Sequence, residues 1–208
     1  NIDVYTKQSS QTMMGMMGQT SDELEESSLG SGIILSSDGY ILTNYHVIEG
    51  ADQLKVNAGG EEYTAQVVGT DESSDLAVLK IDATGLTAIE VGSSSDLAVG
   101  EWVMAVGSPF GLEQSVSTGI VSATSRTTSA LNDSNSGSSA VYTNMIQTDA
   151  AINPGNSGGA LVDKDGKLIT ESVTDYSKKN ILGEYATLDS FLRAWNSEEK
   201  KQAIIDEL

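Results

Sequence analysis

The sequence lacks several residues on which common types of functional site depend. It has no cysteine among 208 residues and a single histidine, His46. Disulfide frameworks, cysteine-based zinc sites and thiol nucleophiles are therefore excluded. A metal site built from several histidine ligands is excluded in the same way.

Positive charge is also scarce. The chain has 11 lysines and arginines against 30 aspartates and glutamates, which gives a formal net charge of −19. Binding to nucleic-acid phosphates needs clustered cations, and so does binding to an anionic membrane surface. The composition therefore predicts neither kind of partner.

Long apolar stretches are missing too. No run approaches the roughly 18–20 apolar residues of a membrane-spanning helix, and no signal peptide is visible at Asn1. The first residues after Asn1 already alternate as in a β-strand. We expect the sequence to start inside a longer protein, so that any export signal or membrane anchor would belong to a segment outside it.

Short apolar stretches bounded by glycine, serine, asparagine and aspartate recur along the chain. They are rich in valine and isoleucine, a pattern that favours the strands of a β-sandwich or barrel. Such stretches lie at 31–35, 40–43, 54–56, 66–69, 76–79, 102–106, 119–122 and 159–162. Asp-Gly pairs at 38–39 and 165–166 indicate hairpin turns. The sequence thus predicts an all-β fold.

The organisation that we predict has two β lobes and a helical tail. The lobes span residues 1–90 and 91–187, and the tail spans 188–208, with Asp189 and Ser197 as candidate helix caps. Two polar segments, 11–28 and 127–139, are predicted to be long loops.

The segment GNSGG at 155–159 is the most informative for chemistry. Glycines on both sides of Ser157 allow a turn that exposes the hydroxyl and aims successive backbone N–H groups at a developing oxyanion. A serine hydroxyl needs an adjacent base, and His46 is the one imidazole available. Asp75, just before a predicted strand, is a better candidate than Asp71 or Asp82 to orient that imidazole.

Each of these residues also has an ordinary structural interpretation. A glycine-rich string is often a simple turn, a lone histidine is often structural, and most acids are solvated surface groups. Their joint occurrence in the order His, Asp, Ser favours catalysis, because a cleft between two lobes is where such groups converge.

The chain resembles the protease domain of the HtrA (DegP/DegS-like) serine proteases, within the wider chymotrypsin-like group. The resemblance covers residues 30 to about 169. The matching strings are GSGII (30–34), DGYILTNYHV (38–47), DESSDLAV (71–78), GSPFG (107–111), VSTGIV (116–121) and QTDAAINPGNSGGAL (147–161).

The resemblance implies a chymotrypsin-like double β-barrel with the active site between the barrels. It places a catalytic triad at His46, Asp75 and Ser157, and oxyanion-binding N–H groups at Gly155, Asn156 and Ser157. It implies no cofactor and no metal, polypeptide substrates, frequent trimers, and a location outside the cytoplasm: periplasm, cell surface or secreted. Substrate-binding residues are expected at Ile152, Asn153, Thr170, Glu171 and Ser172.

One segment departs from the family pattern. Where the family usually has Gly-aliphatic-Asn on the strand that lines the specificity pocket, this chain has Thr170, Glu171 and Ser172. A buried unpaired Glu171 would be costly, so its side chain either points outward or shapes the pocket toward polar residues. A PDZ module does not follow in the sequence.

The sequence leaves two main functions of different classes. The first is a serine endopeptidase of protein quality control or processing, which cleaves unfolded or exposed segments through an acyl-enzyme. The second is a protease-fold binding or scaffold module whose activity is impaired by the altered specificity strand. Esterase activity is a third and weaker option, because the same groups cleave esters.

Overall fold

The structure is a computed structural model. It describes residues 1–7, 24–72, 75–108, 115–131, 139–153 and 156–171, without the side chains of 126–144 and 170–171. The predicted C-terminal helices and Ser172 lie outside these residues. Among the described residues, no helix has the length and apolar character required to cross a membrane.

Seven strands form the first antiparallel sheet, in the order β2-β1-β5-β6-β7-β4-β3. A short helix, α1 (Tyr45–Ile48), follows the fourth strand. The strands are β1 (Ile2–Lys7), β2 (Leu24–Gly30), β3 (Ile33–Ile34), β4 (Tyr40–Thr43), β5 (Gln53–Ala58), β6 (Glu61–Asp71) and β7 (Leu76–Ile81).

Five strands form the second antiparallel sheet, in the order β10-β9-β8-β11-β12. A single 3₁₀ turn at Ser94–Asp96 lies on the connection between the sheets. The strands are β8 (Trp102–Gly107), β9 (Ser115–Leu131), β10 (Ser139–Thr148), β11 (Ala160–Val162) and β12 (Leu168–Glu171). The eight predicted apolar stretches all contribute to strands.

Each sheet buries alternate residues on one face. In β5, Leu54, Val56 and Ala58 point into the core of the first sheet while their neighbours are more exposed, as the period of two requires. In β8, Val103 and Ala105 do the same for the second sheet. The apolar alternation seen in the sequence is therefore the signal that defines both cores.

Both predicted hairpin turns are present. Gly39 and Gly166 have φ angles of 100° and 79°, a left-handed conformation that glycine adopts without steric cost. The N–H of Gly39 donates to Ser36 O at 3.3 Å, and the N–H of Gly166 donates to Asp163 O at 3.0 Å.

Parts of both predicted polar loops are strands instead, and for these residues the sequence prediction was wrong. Residues 24–28 belong to β2, which pairs with β1. Residues 127–131 continue β9, and Ser139 already begins β10. Backbone hydrogen bonds build these ladders whatever the side chains are. Strands whose residues are mostly polar therefore cannot be recognised from apolar alternation.

The strand pairing determines where the candidate residues lie. β4 and β7 are antiparallel neighbours, with Thr43 opposite Ala77. The segment after β4 and the residue before β7 therefore meet at one end of the sheet, and these are the places of His46 and Asp75. On the second sheet, Ser157 lies just before β11, next to the end of β8.

Candidate active site

His46 and Asp75 form a two-point contact. The atoms His46 Nδ1 and Asp75 Oδ2 are 2.6 Å apart, and the backbone N–H of His46 donates to Asp75 Oδ1 at 2.8 Å. Both carboxylate oxygens thus hold the same residue, which fixes the ring and places a proton on Nδ1. Asp75, rather than Asp71 or Asp82, is the carboxylate that makes this two-point contact.

The backbone of Asp75 is held as firmly as its carboxylate. Its carbonyl oxygen accepts hydrogen bonds from Tyr45 N at 3.1 Å and from Asn44 Nδ2 at 2.9 Å. Its φ angle is 55°, a left-handed value that is uncommon outside glycine. Residues in such conformations persist where surrounding contacts determine them, and these N–H donors are such contacts.

The hydrogen bond to Asp75 raises the pKa of His46 above its ordinary value of 6.5, partly opposed by burial. The side chain is still 52% exposed. Because Nδ1 faces Asp75, Nε2 is the nitrogen left to exchange a proton with another group. The arrangement is that of a general base whose charged form is stabilised.

The Ser157 loop is fixed by the first sheet. The carbonyl oxygen of Ser157 accepts a hydrogen bond from the N–H of Ser31 at 2.8 Å, and the N–H of Gly158 donates to Asn44 Oδ1 at 2.7 Å. Gly158 has a φ of 79°, and an added Cβ would clash with Ser31 O and Thr43 Oγ1. A side chain at this position would therefore force the two sheets apart.

The predicted oxyanion donors differ in their surroundings. Gly155 lies outside the described residues. The N–H of Asn156 donates to Asn153 O at 3.0 Å, so this donor is occupied within its own loop. For the N–H of Ser157, no hydrogen bond to another residue in the described part of the chain is found.

The predicted substrate-binding residues that the structure describes lie next to the same loop. Ile152 is 51% exposed and lines a small cavity of about 20 Å³ together with Asn156. Glu171 pairs with Ala160, the first residue of β11, which places the backbone of β12 beside the strand that follows Ser157.

A larger cavity, of about 870 Å³, lies elsewhere. It is formed by Trp102 at the start of β8 and by the turn at 163–167. Both are at the end of the second sheet opposite to Ser157, because β8 and β11 are antiparallel. Geometry, rather than cavity size, therefore indicates the site around His46. No group of three or more metal-binding side chains occurs in the described ranges.

Sequence reasoning missed a buried polar network that joins the two sheets. Thr43 Oγ1 donates to Ser31 O at 2.8 Å, and Ser108 N donates to Ser31 Oγ at 2.7 Å. The four polar residues involved are at most 8% exposed: Ser31, Thr43, Asn44 and Ser108. All four fall within strings that carried the family resemblance, and that is the signal that could have identified them.

Comparison with known proteins assigns this architecture. The trypsin-like peptidase domain family matches residues 30–170. The chain belongs to this family. Within it, the chain is an HtrA-type serine protease domain, and the predicted chymotrypsin-like double β-barrel fold is confirmed.

Two curated relatives carry the name "Probable periplasmic serine endoprotease DegP-like". The protein from Halomonas elongata is 53% identical over 146 residues, which are 70% of this chain and 29% of the relative. The protein from Hahella chejuensis is 56% identical over 103 residues, 49% of this chain and 22% of the relative. The chain thus spans less than a third of the length of these relatives.

Solved structures of HtrA-type protease AlgW agree with this assignment. The complex with a tripeptide has a TM-score of 0.65 and 46% identity, and the match covers 82% of this chain and 49% of that one. The complex with a decapeptide has a TM-score of 0.64 and 44% identity, covering 82% and 54%.

Proposed function

We propose that this domain is a serine endopeptidase that cleaves unfolded or exposed polypeptide segments, with His46, Asp75 and Ser157 as its catalytic triad. The observation that carries the proposal is the 2.6 Å contact between His46 Nδ1 and Asp75 Oδ2. This contact leaves Nε2 on a half-exposed ring, and Ser157 lies on a loop bonded to the residue two positions before His46.

The proposed reaction uses the two ring nitrogens differently. Ser157 Oγ attacks the peptide carbonyl while His46 Nε2 takes the proton of the Ser157 hydroxyl, and Asp75 stabilises the resulting imidazolium. The same nitrogen then protonates the leaving amine. In the second half, His46 activates a water that hydrolyses the acyl-enzyme and releases Ser157.

The oxyanion is assigned to the backbone N–H groups of Gly155 and Ser157, with Asn156 as a third donor. Because Asn156 N–H is bonded to Asn153 O, its participation would require that bond to break. We therefore expect Gly155 and Ser157 to provide most of the stabilisation of the developing charge.

Substrate class and location rest on the relatives. Two are named as periplasmic endoproteases, and the AlgW structures contain peptides. We propose polypeptide substrates and an extracytoplasmic location for this chain as well. A homotrimer, and membrane anchoring through a segment outside this sequence, stay proposals. The alternative of an impaired scaffold module is not favoured.

The test is cleavage of casein together with labelling by a fluorophosphonate probe. The wild-type domain is expected to cleave casein and to be labelled at Ser157. Ser157→Ala should abolish labelling and lower cleavage by about 10⁶-fold, because the nucleophile is lost.

Ser93→Ala is the matched control, since it removes an exposed hydroxyl that bonds Ser95 on the connection between the sheets. It should retain both activities. Absence of labelling and cleavage in the folded wild-type protein would contradict the proposal and favour the scaffold module.

A further inference from the structure

The side chain of Asn44 links the two halves of the proposed site. Its Nδ2 donates to Asp75 O at 2.9 Å, and its Oδ1 accepts the N–H of Gly158 at 2.7 Å. A backbone carbonyl can only accept and a backbone N–H can only donate, so these partners fix which end of the amide is which. Asn44 is 1% exposed, and its amide is therefore committed to this bridge in the protein interior.

Helix capping does not explain this residue. Asn44 occupies the N-cap position of α1, with φ −81° and ψ 148°, yet its side chain makes no capping hydrogen bond. Asparagine at an N-cap normally accepts from a backbone N–H of the first turn. Here the oxygen is directed to Gly158 on the other sheet.

We propose that Asn44 is a positioning residue that holds the Asp75 turn and the Ser157 loop at a fixed separation, so that base and nucleophile meet. This inference rests on the proposed function. It assigns to one buried amide the alignment of two catalytic groups that come from different sheets.

The consequence for Asp75 is direct. Its backbone is left-handed, and Asn44 Nδ2 is one of two N–H donors on its carbonyl oxygen. Loss of that donor lets the turn relax, and the carboxylate then moves relative to His46. Displacements of about 1 Å at a catalytic group can lower a rate by about 10²-fold.

The consequence for Ser157 follows from the other end of the amide. Gly158 N–H comes directly after Ser157, and Ser31 N holds the carbonyl of Ser157 itself. Without the Asn44 oxygen, the turn loses the hydrogen bond at Gly158 and keeps the one between Ser31 N–H and Ser157 O, so the position of the serine hydroxyl relative to the ring is less restricted.

The test variant is Asn44→Ser. Asn44 makes no capping hydrogen bond, so its replacement removes no cap from α1, and the single oxygen of serine cannot occupy both end positions of the amide. Fluorophosphonate labelling of Ser157 should slow by about 10²-fold. This small probe reports on the alignment of base and nucleophile rather than on peptide binding.

A second readout does not need activity. The chain has a single histidine, so the NMR signal of a histidine Cε1–H proton can be assigned to His46. In the wild type, the titration of His46 should have its midpoint above 6.5 because of the hydrogen bond to Asp75. In Asn44→Ser, the midpoint should fall toward 6.5.

Val56→Ala is the control for simple loss of stability. Val56 is 3% exposed in the core of the first sheet, away from the site, and its truncation should leave labelling and the His46 titration unchanged below the unfolding temperature. If Asn44→Ser does not fold, Asn44→Thr leaves less empty space, and the same two results are expected.

The outcomes separate the two proposals. Wild-type labelling speed together with an unmoved titration in Asn44→Ser would overturn the positioning role. Absence of labelling in the wild-type protein would overturn the proposed function, while the NMR titration would still show whether Asn44 holds Asp75 against His46.

Discussion

The histidine side and the serine side of the site are held in different ways. On the histidine side, Asp75 and the segment 44–46 bond to each other within one sheet, through both the carboxylate and the carbonyl of Asp75. On the serine side, the Ser157 turn is bonded to Ser31 and Asn44, which belong to the other sheet.

This difference shows what sets the distance between base and nucleophile. The two apolar cores each stabilise their own sheet. The hydrogen bonds of Ser31 and Asn44 are directional and buried, and they join the sheets next to the site. We infer that the apolar cores maintain each half, whereas a few polar side chains align the halves.

Among changes to the residues that hold the two sides in place, the largest effect is expected on the histidine side, from Asp75→Asn. The amide presents a donor to Nδ1, which favours the wrong ring tautomer, and labelling should fall by about 10⁴-fold. Catalysis needs neutral His46, so activity rises as pH increases through its pKa. The wild-type midpoint should lie above 6.5, and loss of the Asp75 carboxylate should lower it.

The measurement is the labelling rate of each variant as a function of pH. Asp82→Asn makes the same chemical change at an exposed carboxylate and should reproduce the wild-type profile. A pH profile of Asp75→Asn that matches the wild type would show that this carboxylate does not act on His46.

The next effect is expected on the serine side, from Gly158→Ala. Its Cβ would meet Ser31 O and Thr43 Oγ1, so the loop must shift away from the first sheet. Labelling should slow by about 10²-fold. Part of the loss of unfolding free energy, about 1–2 kcal/mol, comes from the left-handed backbone alone.

Gly166→Ala separates these contributions. Gly166 has the same φ of 79°, but no atom lies within 4 Å of an added Cβ. Denaturant unfolding should show a similar backbone cost in both variants, with full labelling retained in Gly166→Ala. Equal labelling in the two variants would mean that the contact between Gly158 and Ser31 does not align the site.

The smallest effect is expected from Ser31→Ala. This change removes the oxygen that accepts Ser108 N–H and keeps the backbone N–H that holds Ser157. Unfolding free energy should fall by about 1 kcal/mol, and labelling should fall by no more than a few-fold, because Ser157 keeps its partner.

Ser36→Ala is the matched change within one hairpin, since Ser36 Oγ accepts Tyr40 N–H at 3.2 Å. It should cost similar stability and leave labelling unchanged. A larger loss of labelling for Ser36→Ala than for Ser31→Ala would contradict the importance of bonds between the sheets.

The sequence was sufficient to predict most of the strands and to indicate a candidate triad. Apolar alternation predicted the segments of both cores, and His46, as the sole histidine, limited the choice of base. The edge strand at Leu24–Gly30 was missed because it is mostly polar and exposed. Asn44 was missed because its partners, Asp75 and Gly158, are 31 and 114 residues away along the chain.

The left-handed turn at Asp75 also restricts which amino acid can serve as the acid. Apart from glycine, asparagine and aspartate enter this backbone region more readily than most residues, and of these two only aspartate has a side chain that is ionised at neutral pH. A glutamate at position 75 would be disfavoured by the left-handed backbone alone, apart from any effect of its extra methylene group. The left-handed backbone at position 75 thereby favours aspartate as the acidic residue of the site.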